Sequence, residues 1–329
     1  MFPFEYDRPT EQAKVIDVLS HSNRTKILAG GTNLVDLMKN GVEQPERLVD
    51  INRLDLTTIS QLDDGGIRLG ALAHNSDTAN HPLVREQYPL LSQAILSGAS
   101  PQLRNMATNG GNLLQRTRCY YFTDPGFPQC NKRLPGSGCG ALEGFNRIHA
   151  ILGSSSHCVA THPSDMCVAL AALDAKVRVQ SRNGLRTIEF PKFHRLPGDT
   201  PRIDTNLEPD ELILSIDLPP SRFASHSHYL KIRDRASYAF ALVSVAAALE
   251  LDGGEIRNVR IALGGVAHKP WRATEVENEL MGRRADRALF ESAARLAVRD
   301  ARPLNHNMFK VELVPHAIVR ALSLAGGLA

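Results

Sequence analysis

Cys119, Cys130, Cys139, Cys158 and Cys167 are the only cysteines of this 329-residue chain, and they fall within less than a sixth of its length. The first four sit among Gly, Pro, Arg and Lys rather than in an apolar run. Thiols gathered so closely share a task, and thiolates are the preferred ligands of zinc and of iron–sulfur centres. The spacing Cys119-x10-Cys130-x8-Cys139-x18-Cys158 holds no Cys-x-x-Cys pair and is not a ferredoxin run. A chain so spaced wraps its metal as a long loop, which suits Pro125, Pro128, Pro135, Gly136 and Gly138. Arg116, Arg118, Lys132 and Arg133 are expected to offset the charge of a thiolate-bound centre, with Tyr120, Tyr121 and Phe122 as its shield. His149, His157 and His162 lie close enough in sequence to keep zinc open as the metal, and disulfides are a third reading. Cys167 belongs to Met166-Cys-Val-Ala-Leu-Ala-Ala-Leu173, an apolar helical run, and reads as core packing.

A second chemistry lies in glycine loops. The apolar strand Lys26-Ile-Leu-Ala29 runs into Gly30-Gly31-Thr32-Asn33 and then a helical pattern from Leu34. Glycines let main-chain amides approach an anion, and the helix start favours negative charge. The motif is neither Gly-x-Gly-x-x-Gly nor a P-loop. A second loop, Thr108-Asn-Gly-Gly-Asn112, has the same character, and two such loops are expected to clamp a pyrophosphate. Thr161-His-Pro-Ser-Asp165 opens a third helix, with Ser164 or Asp165 as its N-cap and Asp165 a candidate grip on a ribose or adenine edge.

The elements that must hold these residues follow from periodicity. Helical patterns cover 10–22, 34–40, 90–98, 272–281, 286–300 and 309–325, the last with its regular part starting near Pro315. Asp64-Gly65, Asn183-Gly184 and Asp252-Gly253 mark three hairpins. Composition shifts near residue 223, the proposed domain boundary, and hairpin-joined sheets with clustered helices make the fold class α+β. A net charge of +3 without a basic run gives no reason to invoke nucleic acid, and no apolar stretch is long enough for a membrane span. Met1-Phe-Pro-Phe-Glu-Tyr-Asp-Arg-Pro lacks the pattern of a signal peptide. No Ser–His–Asp, paired-carboxylate or zinc-hydrolase arrangement stands out as a catalytic set.

Leu28-Ala-Gly-Gly-Thr-Asn-Leu-Val-Asp-Leu-Met-Lys39, Thr108-Asn-Gly-Gly-Asn112, Ser164-Asp165, Glu211-Leu-Ile-Leu-Ser-Ile-Asp-Leu-Pro219 and Lys231-Ile-Arg-Asp-Arg235 occur in that order. Together they resemble the FAD-binding medium subunit of molybdenum hydroxylases, the xanthine dehydrogenase and aldehyde oxidoreductase family, over essentially the whole chain. Most members lack a cysteine-rich insertion. This one is similar to the subset with an additional [4Fe–4S] cluster, which includes the 4-hydroxybenzoyl-CoA reductase type and the FAD subunit of periplasmic aldehyde oxidoreductase.

The resemblance implies an FAD-binding domain of the PCMH (vanillyl-alcohol-oxidase-like) type at 1–222, with a [4Fe–4S]-binding insertion at about 116–160. A CO-dehydrogenase-flavoprotein-like domain, an antiparallel sheet with helices, would follow at 223–329. It implies that Lys26, Ile27, Leu28, Ala29, Gly30, Gly31, Thr32, Asn33 and Leu34, with Thr108, Gly110, Gly111 and Asn112, embrace the FAD pyrophosphate. Asp165 would hold the adenosine side, Ile213 or Leu214 would pack near the ring system, and Lys231 would set a positive charge near the flavin. Cys119, Cys130, Cys139 and Cys158 would be the cluster ligands, since only a redox centre adds something to an electron-transfer subunit. Implied partners are a large subunit carrying the molybdenum cofactor and a small [2Fe–2S] subunit in a heterotrimer. Electrons would leave to an external acceptor such as ferredoxin, quinone or oxygen, with a basic surface suited to an acidic acceptor. The implied location is the periplasm, reached folded with a twin-arginine-signal partner; the cytoplasm is the alternative. Rival readings are a self-contained flavin oxidase or reductase and a zinc-stabilised non-enzymatic interaction subunit.

Overall fold

The computed structural model describes residues 1–22 and 24–328, which form three sheets with helices packed between and around them. A small parallel sheet has the order β1 (Glu5–Asp7), β3 (Arg47–Asp50), β2 (Thr25–Leu28). Helix Gln12–His21 and helix Leu34–Lys39 carry its crossovers, and Val15, Ile16 and Leu19 pack with Val49 and Ile51. The parallel pairing is absent from the sequence reading. Strands of three or four residues are too short for an alternation to show.

A five-stranded antiparallel sheet follows in the order β4 (Ile59–Gln61), β5 (Ile67–Gly70), β8 (Leu212–Leu218), β6 (Lys176–Ser181), β7 (Gly184–Glu189). Its β4–β5 and β6–β7 pairs are hairpins at Asp64-Gly65 and Asn183-Gly184, where Gly65 and Gly184 take positive φ. The central strand β8 carries a bulge: Ile213 faces Val179, Ser215 faces Arg178, and Leu214 between them is the extra residue. Leu214 instead accepts the Ala71 amide through its carbonyl. Ile213 therefore enters the main core, while Leu214 packs on the core of the small sheet.

The third sheet, β12 (Trp271–Arg272), β11 (Glu255–Gly264), β10 (Val243–Asp252), β9 (Ser227–Ile232), is antiparallel and centred on the Asp252-Gly253 hairpin. Alternation gives it two unlike faces. Val243, Val245, Ala247, Leu249 and Ile261 pack with Phe290, Val314, Ile318 and Leu322 of the C-terminal helices. The last helix, Phe309–Ala325, runs through Pro315 rather than starting there. The packed Val314, Ile318 and Leu322 face holds both sides of the proline in place against the sheet.

The opposite face presents Ala246, Ala248 and Ala262 to helix Asp165–Ala172 and helix Pro89–Ser97. Small side chains let helix and sheet approach closely; a Cβ on Gly264 would lie 2.6 Å from Val168 Cγ2. This contact brings β9, and Lys231 on it, alongside the start of helix Asp165–Ala172. Ala246→Leu is expected to overpack it and destabilise the chain by about 1–3 kcal/mol, seen as a lowered urea midpoint at constant m-value.

Candidate functional site

The two glycine loops meet. A Cβ on Gly30 would fall 1.8 Å from the Met106 carbonyl oxygen, so only glycine lets the first loop pass beneath the segment leading into the second. Gly31 takes φ +71°, the turn that sends the chain from β2 into helix Leu34–Lys39. The amides of Gly30, Gly31, Thr32, Asn33 and Leu34 find no acceptor among the described residues. The buried Asn33 Nδ2 likewise has no partner. Consecutive unspent donors are the main-chain chemistry of an anion cradle.

The second loop differs from expectation. Its amides are already used: Asn109 donates to the Ala73 carbonyl, Gly110 to Ala71, Gly111 to Thr108 Oγ1 and Asn112 to the Thr108 carbonyl. What it contributes is a side-chain lattice. Asn112 donates to Asn75 Oδ1 at 2.6 Å and accepts from Ser164 Oγ at 2.5 Å and from Gln115 Nε2 at 2.8 Å. Asn109, fully buried, bonds Thr78 and the Gly70 carbonyl. Sequence shows two similar glycine pairs; which one has free amides depends on where the neighbouring carbonyls lie.

Two cavities, of about 370 and 320 Å³, open on either side of Thr32, Asn112 and Gln115, which line both. Lys26, Gly30, Asn33 and Leu34, with Thr108 and Gly111, line the smaller lobe beside Glu43, Arg116 and Asp204. Ile27 and Ala29 turn their side chains to the small-sheet core, and Gly110 packs on Ala71. The larger lobe is lined by Ile95, Leu103, Arg118, Asp165, Lys231 and Phe240, among others. A two-lobed groove with its waist at an amide cradle fits a dinucleotide such as FAD, pyrophosphate at the waist.

Asp165 and Lys231 form one unit in that larger lobe. Lys231 Nζ lies 2.8 Å from Asp165 Oδ2 and also donates to the Ser97 carbonyl at 3.0 Å, and Tyr229 donates its hydroxyl to Asp165 Oδ1 at 2.7 Å. Both charged side chains are more than nine-tenths buried. Burial and the adjacent Asp165 carboxylate push the Tyr229 phenol well above its usual range, keeping it a donor. Asp165, expected at the adenosine side, and Lys231, expected near the flavin, thus stand in direct contact in the same lobe. The bulge at Leu214 turns Ile213 and Leu214 toward two cores, and neither lines the groove. Ser164, not Asp165, is the N-cap, accepting from the Cys167 amide at 3.0 Å.

Cys119, Cys130, Cys139 and Cys158 converge on one narrow cavity with Tyr121, Phe122, Lys132 and His157. All are free thiols, and Cys130 and Cys139 sit opposite one another in a β-bridge. Burial pushes the Cys119 thiol up to about 12 and the Cys158 thiol up to about 11, so thiolates form there only when a cation takes the protons' place. Four thiols sharing one cavity are a donor set that suits either zinc or an iron–sulfur centre. His149 Nε2 lies 3.1 Å from Cys119 Sγ, as a hydrogen-bond partner of that sulfur.

Of the four expected cations only Lys132 lines this cavity, and it donates to Asp204 and, at 2.8 Å, to the Pro201 carbonyl. Arg116 pairs with Glu43 and Asp204 in the smaller lobe, Arg118 stacks on Phe240 at 5.0 Å in the larger, and Arg133 donates to the Tyr121 and Phe127 carbonyls. Tyr120 is half exposed and shields nothing there. Asp204, held well below the usual carboxylate range by Lys132 and Arg116 against the cost of burial, joins the two sites; sequence offered no signal for it.

The comparisons with known proteins agree with this architecture. Residues 2–221 match the family described as FAD binding domain in molybdopterin dehydrogenase, and residues 228–324 match the CO dehydrogenase flavoprotein C-terminal domain. The chain therefore belongs to the FAD-binding medium subunits of the molybdenum hydroxylase family, and is an oxidoreductase subunit. It is 48% identical over 326 residues to the aldehyde oxidoreductase FAD-binding subunit PaoB of Escherichia coli (strain K12), covering 99% of both chains. It is 29% identical to the glyceraldehyde dehydrogenase medium chain of Sulfolobus acidocaldarius, covering 89% of this chain and 87% of that one. Among solved structures, carbon monoxide dehydrogenase from Hydrogenophaga pseudoflava superposes with a TM-score of 0.77 at 26% identity over the full length of both chains.

Asp165→Asn leaves the Lys231 cation unmatched in a buried site and is expected to cost about 3–5 kcal/mol of stability. The double variant Asp165→Leu, Lys231→Met should recover most of that loss. Denaturant titration of both variants and the wild type checks the pair.

Proposed function

We propose that this chain is the electron-transfer flavoprotein subunit of a heteromeric molybdenum-dependent aldehyde oxidoreductase. In this reading it holds FAD in the two-lobed groove and a [4Fe–4S] cluster on Cys119, Cys130, Cys139 and Cys158. The observation that carries it is a juxtaposition: Arg118 lines the larger groove lobe and Cys119, the next residue, lines the cysteine cavity. Consecutive Cα atoms are about 3.8 Å apart, so a flavin ring in that lobe and a cluster on that thiolate would be near neighbours.

Bound FAD supplies exchange of electrons singly or in pairs, the property required between a one-electron relay and a two-electron acceptor. The protein's part is to hold and orient. The free amides of residues 30–34 would take the pyrophosphate, and the apolar wall of Ile95, Leu103 and Phe240 would cover the ring in the larger lobe. Lys231 offers the ring a donor whose charge is matched by Asp165, so it orients the flavin more than it draws charge into it. Lys132 lies close enough to Cys158 to lower its thiol pKa and brings a positive charge to a cavity where thiolates gather.

Aldehyde as the substrate class rests on the full-length likeness to the Escherichia coli subunit, and oxidation itself falls to a partner chain with the molybdenum cofactor. A small [2Fe–2S] subunit would complete a heterotrimer and feed electrons to this chain, which passes them to an external acceptor.

Anaerobically purified material should contain one FAD with about four iron and four acid-labile sulfide per chain. Cys158→Ser should lose the iron and keep the FAD. Zinc without labile sulfide in the wild type would rule out the cluster, and absence of flavin would overturn the whole reading.

A further inference from the structure

His162, Cys167 and His194 form a second cluster of ligand-type side chains, apart from the four cysteines that share a cavity. One ligand atom from each lies within 4.8 Å of the other two. The two imidazole rings are 4.3 Å apart between centroids and tilted by 52°. Cys167 is fully buried on helix Asp165–Ala172, and His194 is 3% exposed just beyond the turn Phe190–Lys192.

The proton positions follow from the partners. His194 Nε2 lies 2.8 Å from the Leu113 carbonyl oxygen, which only an N–H can satisfy, so Nε2 carries the proton and Nδ1 is a lone pair. That Nδ1 is buried with no hydrogen-bond partner, and so is His162 Nε2. A buried lone pair at His194 Nδ1 and a second unpartnered imidazole nitrogen at His162 Nε2, on side chains clustered with a thiol, are a costly arrangement unless something fills it. A histidine donating its remote N–H to a main-chain carbonyl is also how ligating histidines are usually oriented.

We propose that His162, Cys167 and His194 hold a single divalent cation of the zinc type, at a site distinct from the cysteine cavity. Two nitrogens and one thiolate sulfur are a set that zinc accepts, with water as a fourth ligand, and its ligands stand about 3.3–3.8 Å apart. Binding would draw the three ligand atoms in from their present separations of up to 4.8 Å. Binding breaks the Cys167 S–H bond and forms a metal–sulfur bond; the proton leaves to solvent and nothing is oxidised or reduced. The ion would tie the helix that begins at Asp165 to the 193–205 segment that carries Asp204, and so brace both lobes of the groove from behind.

The test uses the flavin-loaded full chain with zinc alone as the probe. Equilibrium dialysis against micromolar zinc should give about one zinc per chain, and zinc-edge X-ray absorption should show a mixed nitrogen and single-sulfur shell. Cys167→Ala and, as a variant at a less buried position, His162→Gln should each lose that zinc while flavin and iron stay at wild-type levels. No zinc uptake by the wild type, an all-sulfur shell, or full uptake by either variant would each overturn the site. Flavin and iron are read separately, so failure here leaves the electron-transfer reading standing, and the reverse also holds.

Discussion

The buried pair of Lys231 and Asp165 is the constraint on which the groove depends. One partner stands on β9 of the C-terminal sheet, the other at the first position of helix Asp165–Ala172. Neither charge is tolerable alone at that depth, so burial of one requires the presence of the other. The alanine face of the sheet makes the approach possible, and Tyr229 and the Ser97 carbonyl take up remaining hydrogen-bonding capacity. The wall of the larger lobe is therefore a joint product of both halves of the chain.

A similar logic links the cysteine cavity to the smaller lobe through Asp204. Lys132 reaches it from one side, Arg116 from the other, and Arg116 continues to Glu43. Charges this buried persist because each is matched. The loop that wraps the thiols is in this way registered against the groove by ion pairs as well as by the chain itself. These anchors add to the apolar cluster of Phe122, Ala141, Val159 and Ala160 that packs with Leu37 around the thiols.

Much of this was legible in the residues. The three hairpin turns, the helix at the C-terminus and the strand–glycine–helix unit follow from local rules of φ and periodicity, and local rules are what one sequence contains. Four cysteines in a polar stretch likewise announced a common site. What escaped reading depended on distant partners. Gly30-Gly31 and Gly110-Gly111 look alike until the carbonyls of Ala71 and Ala73 are placed beneath the second pair. Asp165 and Lys231, 66 residues apart, read as unconnected residues at two ends of one cofactor, and only the fold shows their contact. The bulge at Leu214 shifts which residues face the core, and no residue type marks it. Arg116, Arg118 and Arg133 were assigned by proximity in sequence, whereas their directions are set by Glu43, Phe240 and nearby carbonyls.

The small-residue face of the C-terminal sheet has an evolutionary consequence. The two sequence modules meet at a short connector, the obvious place to cut and recombine chains from different relatives. A graft made there would marry one parent's helix Asp165–Ala172 to the other's β9–β11 surface, mismatching both the close alanine fit and the charge opposite Asp165. The heritable unit is thus the helix together with the sheet it lies on, and a chimaera that respects this would carry residues 164–173 along with the C-terminal module.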